Sequence, residues 1–544
     1  MQREGFSTAR QHLYAEGLNI NPMKRIKNII AGLLAIILAT ASAGCGRAIV
    51  IQGTPADNNS YTFYNGNEIT GVPVDTQLSP QTDKKDETSS YASMEQSVVS
   101  SVQTSGTTIA SGEVTDSFAT QPQTVPPQTT VTLPPVETVS ETTTTVTTPA
   151  PQTTTVITTV KPAPVPDDTD LPVNNYQALN HEETKGVWIS YFELYPILTG
   201  KSKSSFAEGI GRYYDNALSL GLNTVYVHVR PYGDAIYKSD YYPWSKYCTG
   251  YIGEDPGFDP LEVMIEEAHK RNISFHAWVN PLRCSQENDA PQIDDSYLVK
   301  KWYNNNDGDY ISKVSSYWYL NPAYDAVTDL IALGVAEIVS KYDVDGVHID
   351  DYFYPTKESW FDSKSFSASG YSDLSQFRLD NCTKMVYKMY NAVKSHNSTA
   401  LFGVSAQGNV HNNLYELYAD VEKWSREAGY VDYMAPQIYY GFDNSGQPYA
   451  EVVDQWDEML KGTGKKLIPG LAVYKIGTED TWAGSGKYEW INEKQIIKRQ
   501  IEKARTADNY SGIILYSYQF IFSPDSSVES AVNAEIEAIK PLLS

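Results

Sequence analysis

The sequence predicts an α/β fold, a (β/α)8 TIM barrel, carried behind an export signal and a long polar stalk. Three observations predict it. From Lys185 to the end of the chain, strand-like runs alternate with helical ones, the pattern of a parallel sheet wrapped in helices. The stretch Val344-Asp-Gly-Val-His-Ile-Asp-Asp-Tyr-Phe-Tyr-Pro355 reads as a buried strand that stops at two adjacent carboxylates. Such an end is costly to bury unless a barrel mouth or cleft solvates it. Nearly all the aromatic residues lie after residue 180, which marks where a packed core begins.

Taken in order, residues 1–45 are the export signal region. Lys24-Arg-Ile-Lys27 precedes an apolar run over 29–41 and then Ser42-Ala-Gly-Cys45, the basic, apolar and small-residue parts of a signal peptide. The run is too short to be read as a membrane span. Small residues before a cysteine resemble a bacterial lipobox, which makes Cys45 the candidate lipidation site and the membrane a partner through that lipid. Met23 is a candidate true start, with residues 1–22 an over-extension. Residues 46–178 are rich in Thr, Ser, Pro, Val and Gln and hold too little apolar surface to offset their chain entropy. They are expected to form a disordered stalk through a cell wall.

Residues 179–544 are expected to form the barrel domain. Eight strand-like runs fall at 186–190, 224–230, 273–280, 346–350, 401–407, 432–439, 467–474 and 512–518. Asp259-Pro260 and Asn321-Pro322 each read as the cap and first residue of an intervening helix. No Gly-rich phosphate loop supports an open nucleotide-binding sheet, and no cofactor is called for. The formal charge of −24 argues against nucleic acid as a partner, since phosphate backbones need Lys and Arg. The four cysteines, Cys45, Cys248, Cys284 and Cys382, lack metal-ligand spacing, and Cys248 and Cys284 are read either as a disulfide or as free thiols. Nothing in the sequence speaks to oligomeric state.

Strand alternation then assigns positions. Val225, Val227, Val229, Val347 and Ile349 should face the helices, and the alternate set should face the barrel axis, its last members reaching the mouth. Those last members are Ser190, Arg230, Asn280, Asp350, Gln407, Gln437 with Tyr439, Tyr474 and Tyr518. Trp278 belongs with them, and the loops add Tyr232, Asp234, Tyr237, Trp244, Tyr317, Trp318, Tyr319 and Tyr352. Amides and carboxylates beside flat aromatic faces suit a hydroxylated ligand such as a sugar, with its apolar C–H face. His228, His276 and His348 fall on the inward face of three neighbouring strands. They read as groups that orient the ring above them, His348 lying against the ligand, or as metal ligands. No closed ligand set can be assembled, and no metal is called for.

Several stretches together resemble the bacterial glycosyl-hydrolase-like family 10. They are Gly186-Val-Trp-Ile-Ser190, Asn223-Thr-Val-Tyr-Val-His-Val-Arg230, Gly233-Asp-Ala-Ile-Tyr237, His276-Ala-Trp-Val-Asn-Pro281, Asp345-Gly-Val-His-Ile-Asp-Asp-Tyr352 and Ala435-Pro-Gln-Ile-Tyr439. The resemblance covers the barrel and none of the stalk. It implies a TIM-barrel glycosidase, and some members of the family act on peptidoglycan glycan strands. Asp350 and Asp351 would then do the acid–base work, with Arg230, Asp234, Trp278, Asn280, His348, Tyr352, Gln407, Gln437, Tyr474 and Tyr518 around the substrate. A retaining two-carboxylate scheme needs a partner about 5–5.5 Å away, and the seventh run ends in none. Asp234, Glu254 and Asp443 are loop candidates. A substrate with a 2-acetamido group removes the need, because its own carbonyl oxygen can attack. In that scheme Asp350 orients the acetamide, Asp351 protonates the leaving oxygen and Tyr439 donates to the acetyl oxygen. The rival readings are a non-catalytic carbohydrate-binding barrel and a metal-dependent deacetylase.

Overall fold

The computed structural model describes residues 60–65, 68–73, 170–305 and 309–544. The signal region, Cys45 and most of the stalk lie outside the described residues. The chain divides into two units, Met1–Gly106 and Thr107–Ser544. In the first, the described backbone forms one antiparallel hairpin, Ser60–Asn65 against Glu68–Pro73.

The second unit is a closed parallel barrel. Its strands are β1 (Thr184–Ile189), β2 (Thr224–Arg230), β3 (Ser274–Val279), β4 (Gly346–Ile349), β5 (Leu401–Val404) and β6 (Tyr433–Met434), followed by β7 and β8. β7 comes in two pieces, Lys466–Leu467 and Gly470–Ala472, and β8 is Gly512–Tyr516. The first piece of β7 pairs with β6 and the second with β8, so the split strand closes the ring. Pro469 sits at the split; it has no N–H to donate, but its carbonyl accepts from Ile514 N at 3.0 Å. Every run expected from the sequence is a barrel strand. The fifth and sixth end early, at Val404 and Met434, and beyond them the pairing thins to the bridge between Gln407 and Gln437.

Alternation sorts the side chains into two layers. Val187, Ile189, Val225, Val227, Phe275, Ala277, Val347 and Ile349 pack outward in the large core under the helices. Trp188, Tyr226, Trp278, Tyr433 and Ile514 form a separate cluster on the axis. Large rings fit there because glycines face them. A Cβ on Gly346 would lie 2.4 Å from the His276 ring, and one on Gly403 would lie inside the Tyr433 ring.

Helices return between successive strands. Lys203–Ser219, for example, is capped by Ser202, which accepts from Ser205 N, and buries Phe206, Ile210, Tyr214 and Ala217 along one stripe. Asp259 caps Pro260–His269 as expected. Asn321 does not cap a helix. Its side chain closes a turn on Ala323 N, and the helix Asp325–Lys341 starts later, because 321–324 are taken up leaving a small sheet. That sheet, Arg283–Gln286, Ile311–Val314 and Tyr317–Leu320, is antiparallel and roofs the segment after β3.

Opposite the mouth, residues 174–180 cross the N-terminal ends of the strands and are held by Asp345. Its carboxylate accepts from Tyr176 OH at 2.9 Å, Leu179 N, and Phe275 N at 2.7 Å, and pairs with His269 at 2.9 Å.

Candidate active site

The carboxyl ends of the strands converge on Asp350 and Asp351, which end β4. Asp350 is buried; its Oδ2 accepts the Trp278 indole N–H at 3.0 Å and its Oδ1 accepts Tyr352 N at 3.3 Å. Trp278 lies flat on the His228 ring, with centroids 3.4 Å apart. His228 Nε2 meets Asn280 Oδ1 at 3.0 Å, and Asn280 donates to Pro231 O at 3.1 Å. Asn280 is therefore a positioning group, fully buried and spent on the stack beneath Asp350.

Asp351 is half-buried and held differently. Gln407 donates to its Oδ2 and Gln437 to its Oδ1, each at 3.2 Å. Asn413 fixes the Gln407 backbone on both sides, donating to its carbonyl at 2.7 Å and accepting its N–H at 3.1 Å. Two amide donors, one on each oxygen, favour an ionised carboxylate. Burial, followed by the negative charge of Asp351, pushes the Asp350 carboxyl well above the usual carboxylate range. Burial also raises Asp351, against the pull of the two glutamines. Both carboxyls are raised, Asp350 the further of the two, so Asp350 is the member better suited to carry a proton.

Arg283 faces this pair and lies just beyond the family motif that ends at Pro281. Its guanidinium sits 4.3 Å from the Tyr352 ring centre, 4.6 Å from Tyr232 and 5.3 Å from Tyr317. It donates to Tyr232 OH at 3.0 Å, and its charge pulls down both Asp350 and Asp351. Its Nε is buried with no hydrogen-bond partner among the described residues. Its place two residues after Pro281, where the family motif ends, was the available sequence signal. The small sheet that carries it was not foreseen.

On the other side of the mouth, Tyr439, Tyr474 and Tyr516 form a half-buried aromatic wall. Tyr439 lies 5.8 Å from Tyr474 and 5.7 Å from Tyr516, ring centre to ring centre. Tyr516 takes the place expected for Tyr518. β8 stops at Tyr516, and Tyr518 opens the helix Tyr518–Phe522, so alternation no longer applies; its ring stacks on Tyr213, 4.0 Å away, among the outer helices.

Arg230 is also not at the mouth. The pairing of β2 with β3 shifts register between His228 and Arg230, which sets Arg230 opposite the outward-facing Val279. Its guanidinium lies over the Tyr242 ring at 4.5 Å and against Gly334 of the helix Asp325–Lys341. His348 lies below the mouth, fully buried. Trp188 donates to its Nε2 at 3.1 Å, so its proton is on Nδ1, facing Tyr433 OH at 3.0 Å. Tyr433 in turn donates to His276 Nδ1 at 3.1 Å. Burial holds His348 and His228 well below the usual imidazole value and His276 at about 4, so all three rings are neutral. Asp234 is buried and raised to about 6 by that burial; it accepts Tyr232 N at 3.1 Å and so props the loop under the arginine. Tyr237 is fully buried away from the mouth, whereas Glu254 and Asp443 are exposed on loops. Cys248, Cys284 and Cys382 are buried free thiols.

The model of the family described as glycosyl hydrolase-like 10 matches residues 183–484. Glycosyl hydrolase YngK of Bacillus subtilis (strain 168) is 32% identical over 358 residues, 61% of this chain and 69% of that protein. Glycosyl hydrolase DigH of Escherichia coli (strain K12) is 33% identical over 339 residues, 57% of this chain and 75% of that protein. Among solved structures, the PgaB (BpsB) glycoside hydrolase domain from Bordetella bronchiseptica aligns with a TM-score of 0.42 at 12% identity, over 66% of this chain and 99% of that one.

Proposed function

Since the chain belongs to the glycosyl hydrolase-like 10 family and is a glycoside hydrolase, we propose that it cleaves a 2-acetamido polysaccharide of the bacterial wall with Asp350 and Asp351. The carrying observation is the contrast between two adjacent carboxylates, one buried against Trp278 and one clamped by Gln407 and Gln437. Carboxyls whose environments differ in this way divide acid from base work. Asp350 holds the proton and delivers it to the leaving oxygen. Asp351, ionised and nearer solvent, orients the acetamide N–H so that the substrate's carbonyl oxygen attacks the anomeric carbon. This reverses the roles that alternation alone suggested. Tyr439 donates to the acetyl oxygen, and Tyr474 and Tyr352 flank the sugar. The basic, apolar and small-residue stretch up to Cys45 supports placement outside the cell membrane, held there by a lipid on Cys45.

The test is cleavage of wall glycan strands, followed by mass spectrometry of new reducing ends. Asp350→Asn and Asp351→Asn should each lower turnover by at least about 100-fold, the low end for losing acid–base help, with the fold intact. A thiazoline mimic of the cyclised intermediate should inhibit, and strands stripped of their acetyl groups should resist. Rapid cleavage of the stripped strands would overturn the acetamide mechanism. Binding without new reducing ends would favour a non-catalytic carbohydrate-binding barrel.

A further inference from the structure

We propose that the loop after β7 carries a distal subsite in which Trp482 stacks on a sugar ring of the polymer, away from the bond being cut. The inference rests on the glycosidase reading and adds to it a preference for long strands. Trp482 is 59% exposed, and Tyr488 on the same loop is 47% exposed. A large indole left in solvent forgoes much of the burial that makes tryptophan worth placing in a fold. The backbone that carries this exposed ring is nonetheless hydrogen-bonded at several points.

Lys475 Nζ donates to Tyr439 O and to Asp480 Oδ2, each at 2.7 Å, and both side chains are nearly buried. Asp480 Oδ1 accepts Trp482 N at 3.4 Å. Ala483, the next residue, accepts Ser445 N at 3.0 Å from the loop after β6, and Gly477 N is held by Trp490 O at 2.9 Å. The indole is thus carried on a support tied at several points to Tyr439. The same loop leaves the wall of Tyr439, Tyr474 and Tyr516 directly, since Lys475 follows Tyr474 in the chain and holds the Tyr439 carbonyl. A flat, solvent-facing ring on a loop hydrogen-bonded to the aromatic wall of the cutting site suits the apolar face of a further pyranose of the same strand.

The test compares the full chain with Trp482→Ala on wall glycan strands and on the shortest oligosaccharide that wild type cleaves. On strands, KM should rise about tenfold, the loss of one good aromatic contact of about 1.4 kcal/mol, with kcat within about twofold. On the short substrate nothing should change. Trp482→Tyr should recover most of the loss. Tyr387→Ala, which removes an exposed ring from the outer helix Leu374–His396, should affect neither substrate. Equal effects on both lengths, or none, would overturn the subsite and leave the glycosidase reading standing. If wild type cleaves neither substrate, both fall together.

Discussion

Both aspartates are raised by burial, Asp350 the further, and that burdens the fold as pH rises. Asp350 titrates higher in the folded chain than in the unfolded one, where a carboxyl sits near about 3.9. The folded form therefore binds more protons, and the stability linked to that proton is present at acid pH and lost as pH rises through the folded value. Asp350→Asn removes the loss. It should melt a few degrees above wild type at pH 7, and the gap should close near pH 4, in thermal scans across that range. A lower melting point at pH 7 would mean that Asp350 is ionised and held by Trp278. Arg283 pulls both carboxyls down, so Arg283→Met should move both limbs of the pH–rate profile to higher pH. An unchanged profile with raised KM would make Arg283 a substrate contact only. At this scale the sequence was readable where a side chain follows a strand end: Asp350 meets Trp278, and Asp351 meets Gln407 and Gln437. Arg283 was missed because its place depends on the small sheet and on three tyrosines distant in sequence.

Among the strands, period-two alternation was a reliable guide until the ladder broke. It sorted Trp188, Tyr226 and Tyr433 onto the axis and Val227 and Val347 away from it. It failed at Arg230, where the register shift sends the side chain outward, and at Tyr518, where the strand has already ended. A one-residue irregularity exchanges inside for outside and leaves no mark in composition. Arg230→Met should therefore leave KM within about twofold, because the residue packs under Tyr242 rather than at the mouth. Its stability should change little or rise, since a buried cation gives way to an apolar side chain of similar length. Gly403→Ala should destabilise by about 1–3 kcal/mol in denaturant titrations, the usual cost of overpacking, because its methyl group would have to displace the Tyr433 ring.

As a whole, the barrel closes through a strand that a proline divides, with β6 on one side and β8 on the other. Eight strand-like runs made that closure legible in the sequence, since an eight-membered ring of strand–helix units leaves no edge. What no periodicity could reveal was the crossing of residues 174–180 beneath the ring, which depends on Asp345 meeting Tyr176 and Leu179. Asp345→Ala should lower the melting temperature while leaving KM unchanged, because the carboxylate lies at the pole away from the mouth. That placement also fixes a load path. A pull on residues 174–180 would bear on the floor of the barrel, and the tension would pass through Asp345 into the strand bases instead of across the rim. Floor and rim stand at the two ends of β4, Asp345 just before it and Asp350 just after it, so a load taken at one end leaves the geometry at the other undisturbed.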